Sequence, residues 1–195
     1  MLPAEEIRRR YVELEAAAPG VTIVAATKYV PLEEMAVLVE AGIEVVGENR
    51  AQDLLAKHAR YGRAFRWHFI GHLQSNKVKV VNGTCELVHS LSSASAAGRL
   101  EIPALVEVNL SGEATKSGVA PEELEPLLGP NVIGLMTMPP FADDPAASRP
   151  YFRRLRELAE QHGLRELSMG TTQDWPVAVE EGATMIRVGS SLFSE

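Results

Sequence analysis

The chain has 195 residues, 46% hydrophobic and 23% charged, with a formal net charge of −7. That length favours one domain with a substantial core, and the acidic balance argues against general affinity for nucleic acid or anionic membranes, which select basic surfaces. The single cysteine, Cys85, excludes an intrachain disulfide and fits a reducing compartment. The start MLPAEEIRRR carries charge where a signal peptide needs an apolar core. No apolar run approaches the roughly 20 residues of a spanning helix, so a cytoplasmic protein is expected.

Residues 1–18 predict an amphipathic helix, with Glu5 and Glu6 suited to its first turn and Pro19-Gly20 as its stop. Arg8, Arg9 and Arg10 are flanked by Glu13 and Glu15, so they read as a solvated helix face rather than a nucleic-acid patch. A strand–helix rhythm follows. Strands are expected at 21–27, 43–46, 67–70, 86–91, 104–110, 132–136, 166–169 and 185–188. Helices are expected between them at 31–41, 49–60, 74–81, 121–128, 150–162 and 173–181, with a short one at 92–100. Residues 139–150 read as a loop rich in proline and aspartate, and the tail GSSLFSE follows the last strand.

Several of these strands are continuous apolar runs, as parallel strands buried on both faces require. Eight strand–helix units predict a single-domain (β/α)8 TIM barrel preceded by an additional helix. It would be smaller than the roughly 250 residues usual for that fold, and the amino-terminal helix could cover the place of a full eighth helix. A doubly wound open sheet is the alternative.

In a barrel the active site lies at the carboxyl ends of the strands. Strand 1 delivers Lys28, strand 2 Gly47-Glu48-Asn49, strand 3 His68 and Gly71-His72, and strand 4 His89-Ser90. Strand 5 delivers Asn109 and Ser111, strand 6 Met136 and Thr137, strand 7 Ser168-Met169-Gly170-Thr171, and strand 8 Arg187, Gly189, Ser190 and Ser191. An ammonium at the end of the apolar run VTIVAATK is costly unless paired, neutralised or bonded. A structural ion pair between Lys28 and Glu48 is one reading. The loops after strands 7 and 8 give the other, because small residues and hydroxyls there suit a phosphate. A lysine facing a phosphate clamp is what pyridoxal phosphate requires. His68 and His72 are spaced HxxxH but lack the glutamate of a zinc helix, so no metal is expected.

The segments VAATKYVP, GENRAQDLLAK, WHFIGHLQSNKVK, VEVNLSGEATKSGV, IGLMTMPP and LSMGTTQDWPVAVEEGATMIRVGSSLF resemble the pyridoxal phosphate homeostasis family, single-domain proteins similar to the barrel domain of alanine racemase. The resemblance covers roughly residues 21–194. It implies that Lys28 joins the aldehyde of pyridoxal 5'-phosphate as a Schiff base. It matches Ser168, Gly189 and Ser190 to phosphate-binding positions, with Gly170 in the first of those two loops, and Arg187 to an arginine facing the pyridine nitrogen. Asn49, His68 and Met136 match pocket-lining positions.

The sequence departs from the family where Thr171-Thr172 replace methionine-serine, in the short helix after strand 4, and in the few residues after strand 8. The family is assigned to control of free pyridoxal phosphate and of amino and keto acid balance. A charged arginine at the pyridine nitrogen disfavours ring protonation and weakens the electron sink. The racemases also take a second base from another domain. A monomeric cofactor-binding and buffering protein is therefore expected, with the cofactor and amino acids as small-molecule partners. The alternatives are a racemase-like enzyme acting on amino acids and a cofactor-free Schiff-base aldolase.

Overall fold

The eight apolar runs form eight short parallel strands. The computed structural model describes residues 1–113 and 115–193; residue 114 and the last two residues of the expected tail lie outside the described residues. In chain order the elements are α1 (Ala4–Ala17), β1 (Thr22–Ala26), α2 (Met35–Glu40), β2 (Val45–Glu48), α3 (Ala51–Tyr61), β3 (Arg66–Phe69), α4 (Val78–Asn82) and β4 (Leu87–Leu91). They continue with α5 (Ala94–Ala97), β5 (Ala104–Glu107), β6 (Val132–Met136), α6 (Arg149–Gln161), β7 (Glu166–Thr171), α7 (Trp175–Glu180), β8 (Met185–Val188) and α8 (Ser190–Phe193).

The strands pair in sequence order and the sheet closes on itself. Closure is made by β1 against β8, with Thr22 opposite Met185 and Val24 opposite Arg187. The structure is thus the expected barrel and not an open sheet. Two layers of side chains account for the apolar runs. One packs between sheet and helices and includes Leu38, Leu54, Phe69 and Phe152. The other is a small plug of Leu87, Leu105, Met136 and Met185, contributed by β4, β5, β6 and β8.

Differences from the expected elements have local causes. The helix expected at 121–128 is two single turns of 3-10 helix, Pro121–Glu123 and Glu125–Leu127, because Pro126 has no N–H with which to continue an α-helical ladder. The short helix after β4 is one turn, with the Ser93 hydroxyl accepting from Ala96 N. A turn of helix, α8, forms in the tail, and α1 lies against it and against α2. Leu2 N donates to Phe193 O at 3.1 Å, Arg10 reaches Ser191 O at 3.0 Å, and Ile7 and Tyr11 are buried beneath α1. No helix among the described residues is long and apolar enough to cross a membrane.

Candidate functional site

At the carboxyl ends of the strands lies a cavity of about 400 Å3, within the range of small-molecule sites. Its wall includes Lys28, Glu34, Asn49, Ile70, Met138, Thr171, Thr172, Arg187, Gly189 and Ser190. Lys28 sits in the turn that ends β1 and is exposed. Its ammonium lies 4.7 Å from the centre of the Tyr29 ring, a contact suited to a cation. It is therefore not the desolvated lysine expected from the strand pattern, and the alternative ion pair with Glu48 does not form. Glu48 is fully buried, and its Oε1 accepts from Lys57 Nζ and Thr27 Oγ1. Its partner is a lysine one helix away in sequence and not the one at the neighbouring strand end.

Across the barrel, Arg187 is 6% exposed. One terminal nitrogen donates to Ser168 Oγ and the other to Thr137 O at 3.0 Å. Burial lowers its pKa to about 10, against the opposing pull of the Glu107 and Asp174 carboxylates. The guanidinium stays charged at neutral pH. Ser168 Oγ lies 2.7 Å from His89 Nδ1, and His89 Nε2 lies 2.9 Å from His68 Nδ1. β4 and β7 are not neighbours in the barrel, so the Ser168–His89 bond crosses its interior.

Both histidines are held neutral. Burial, then the Arg66 charge, lowers His68 to about 4. Burial, then His68 and Arg187, holds His89 well below its ordinary value. Arg187 donates to Ser168, and the neutral rings of His89 and His68 continue the chain, each contact pairing one N–H or O–H with one acceptor.

The β7–β8 side of the cavity is built from small residues. Thr171 is tied down, its N and Oγ1 donating to Asp174 Oδ1 at 2.7 and 3.0 Å. Thr172 is bound more loosely, accepting from Gly189 N at 3.3 Å and lying 3.3 Å from Ser191 Oγ. A Cβ added at Gly189 would come 3.3 Å from Ala26 O, so a glycine there lets the β1 and β8 ends approach. On the other side, Asn49 Oδ1 is buried with no partner among the described residues.

The alanine racemase N-terminal domain model matches residues 4–195. The chain is 43% identical over 196 residues to a pyridoxal phosphate homeostasis protein of Aquifex aeolicus, covering 89% of this chain and 86% of that one. It is 40% identical over 203 residues to that of Deinococcus radiodurans, covering 96% of each. The chain belongs to the pyridoxal phosphate homeostasis family. Its barrel superposes on PipY of Synechococcus elongatus PCC7942, solved with PLP bound, with a TM-score of 0.86 at 33% identity, covering 96% of this chain and 100% of that one.

Within this member of the family, five of the residues expected at the site line the cavity: Lys28, Asn49, Arg187, Gly189 and Ser190. Four do not. Met136 belongs to the apolar plug inside the barrel. His68 and Ser168 lie under the cavity, in the chain of bonds that ends on Arg187. Ser168 is fully buried and its hydroxyl is bonded to Arg187 and His89, so it sits in the layer that supports Arg187. Gly170 has φ +91° and a Cβ there would fall 2.6 Å from Ala178 Cβ. The absence of a side chain there makes room for α7.

Thr171, the last residue of β7, and Thr172 just past it, the departure from the family pattern, reach the cavity. Strand alternation could have shown this. Met169 packs in the outer layer, so residue 168 points into the barrel and the loop beyond it forms the rim. Glu34 and Met138 carried no signal in the sequence, because a helical turn and a loop bring them to the mouth, while Ile70 stands at the end of the strand expected at 67–70.

Proposed function

We propose that this protein binds pyridoxal 5'-phosphate in the cavity at the barrel mouth and holds it reversibly, buffering the free cofactor and, through it, amino and keto acid balance. The observation that carries the reading is a set of polar groups gathered on one cavity: a primary amine, a hydroxyl-and-glycine wall, an asparagine and a buried cation. Those residues fit a phosphorylated aromatic aldehyde. The names of the two relatives and the PLP bound to PipY support the same ligand.

When bound, pyridoxal phosphate supplies an aldehyde that condenses with a primary amine with loss of water, and a ring that withdraws electrons. Lys28 supplies the amine, and its exposed turn leaves Nζ accessible. Thr172 and Ser190 offer hydroxyls to a phosphate, and Gly189 lets backbone come close. Asn49 lines the cavity on the Lys28 side. Arg187 keeps a fixed charge in the wall and so opposes protonation of a ring nitrogen brought near it. That weakens electron withdrawal and favours holding the cofactor over activating an amino acid.

The test is borohydride reduction of the cofactor-loaded protein followed by peptide mass mapping. A single phosphopyridoxyl label on Lys28, absent from Lys28→Ala, is expected. A label confined to other lysines, or racemisation of an amino acid well above that of free cofactor and dependent on Lys28, would overturn the reading.

A further inference from the structure

Glu48 and Lys57 are buried outside the cavity and unexplained by cofactor binding. Both lie beneath the turn that carries Lys28. Thr27, the residue before Lys28, is fully buried and every polar group it has is bonded. Its N donates to Gly47 O at 3.0 Å, and its Oγ1 donates to Glu48 Oε1. Its carbonyl accepts twice, from Val30 N at 2.9 Å and from Lys57 Nζ at 2.8 Å. Lys57 Nζ also donates to Glu48 Oε1, while Glu48 Oε2 has no partner among the described residues.

The rest of the turn is lightly supported. Lys28 and Tyr29 are exposed, and both line two hollows. One is the cavity. The other, of about 260 Å3, includes Pro31, Asp53 and Lys57 in its wall. The turn is therefore a partition with space on both faces, fixed at one end by the packing of Val30 and at the other by the bonds to Thr27.

A buried ion pair is a poor source of net stability, since desolvation of both charges offsets their attraction and apolar residues of similar volume do as well. What apolar residues could not supply is direction. Lys57 on α3, paired with a carboxylate on β2, reaches the Thr27 carbonyl from below while the same carboxylate takes the Thr27 hydroxyl.

We infer that Lys57, oriented by Glu48 and bonded to the Thr27 carbonyl, is the positioning residue for Lys28: it fixes the turn that presents the Lys28 amine to the cavity. This rests on the reading of Lys28 as the cofactor-attaching lysine. Attachment is condensation of Nζ with the aldehyde, releasing one water; the positioning pair supplies no atom to it.

The experiment compares wild type with the double variant Lys57→Met/Glu48→Gln, which removes both charges together and so leaves no unpaired one to unfold the barrel. Two probes separate positioning from general damage. Pyridoxine 5'-phosphate, an alcohol that cannot condense with an amine, reports the cavity alone. Borohydride trapping of pyridoxal 5'-phosphate with mass mapping reports attachment to Lys28.

The expected result is affinity for the alcohol within about twofold of wild type and a rate of Lys28 labelling at least tenfold lower. Labelling at the wild-type rate in the double variant overturns the inference while leaving the function reading intact. Loss of both in parallel also overturns it, because the pair would then support the whole cavity and not the turn. Failure of wild type itself to label at Lys28 defeats the function reading and this inference with it. The Lys57→Arg variant adds a check: it keeps a cation and its donors, so labelling recovers at least partly relative to the double variant, and no recovery counts against the inference.

Discussion

Among the described residues the barrel buries two cations, Lys57 and Arg187, and they are treated in opposite ways. Lys57, under the β1–β2 side of the mouth, is neutralised by the Glu48 carboxylate and spends its donors on Thr27. Arg187, on the β8 side, donates to a hydroxyl and a carbonyl and forms no ion pair among the described residues. Its nearest acids act only at a distance, and burial pulls its pKa down to about 10. A cation paired with a carboxylate has little field left for its surroundings and serves geometry. A cation held by neutral acceptors keeps its field, and Arg187 presents that field to the cavity it lines. The two sides of the mouth thus separate aiming from electrostatics.

The contrast should show most strongly in stability. Lys57→Met alone strands the buried Glu48 charge and is expected to cost about 3–5 kcal/mol in a urea unfolding curve. Adding Glu48→Gln should recover most of it. A single variant as stable as wild type would mean that Glu48 is not ionised beside Lys57.

The next effect is pH-dependent and belongs to the Arg187 side. An unfolded histidine takes up its proton near pH 6.5, whereas His68 in the barrel stays neutral down to about 4. The folded state therefore binds fewer protons in that window, so stability is complete above pH 6.5 and is lost as pH falls towards 4. Calorimetry should give a Tm roughly 5–10 °C lower at pH 4.5 than at pH 7, and His68→Asn should flatten part of that slope, the buried His89 supplying the rest.

Arg187→Met should separate stability from binding. It removes an uncompensated buried charge while leaving Ser168 bonded to His89, so unfolding free energy should stay within about 1 kcal/mol of wild type. Retention of pyridoxal phosphate through dialysis should nevertheless fall. A large loss of stability with retention unchanged would reverse the assignment of roles. The smallest effect is expected from Thr172→Val, which deprives Gly189 N of its acceptor. It should weaken retention by about fivefold, roughly 1 kcal/mol, with little change in unfolding.

Lys28, Arg187, Gly189 and Ser190 were legible in the sequence because each stands at or just past the carboxyl end of a run recognisable as a strand, and barrel topology sends all such ends to one mouth. His68, Met136 and Ser168 stand on those same runs but lie in the layer beneath the cavity wall. In a strand, alternate residues face opposite ways and successive layers fill the barrel, so a polar residue on a strand can belong to the layer beneath the site. The family pattern supplied the ligand, and the strand pattern supplied the ring of positions. Neither could say that Ser168 serves Arg187 or that Glu48 takes Lys57 as its partner.

The sequence by itself determined the eight parallel strands and the lysine after the first of them, since apolar runs and turn residues are local signals. The exposed state of that lysine, the partner of Glu48 and the chain from Arg187 to His68 were decided by tertiary structure. Each depends on side chains from separate strands and helices meeting in or beneath the barrel, where burial raises the cost of a lone charge and leaves the choice of partner to geometry.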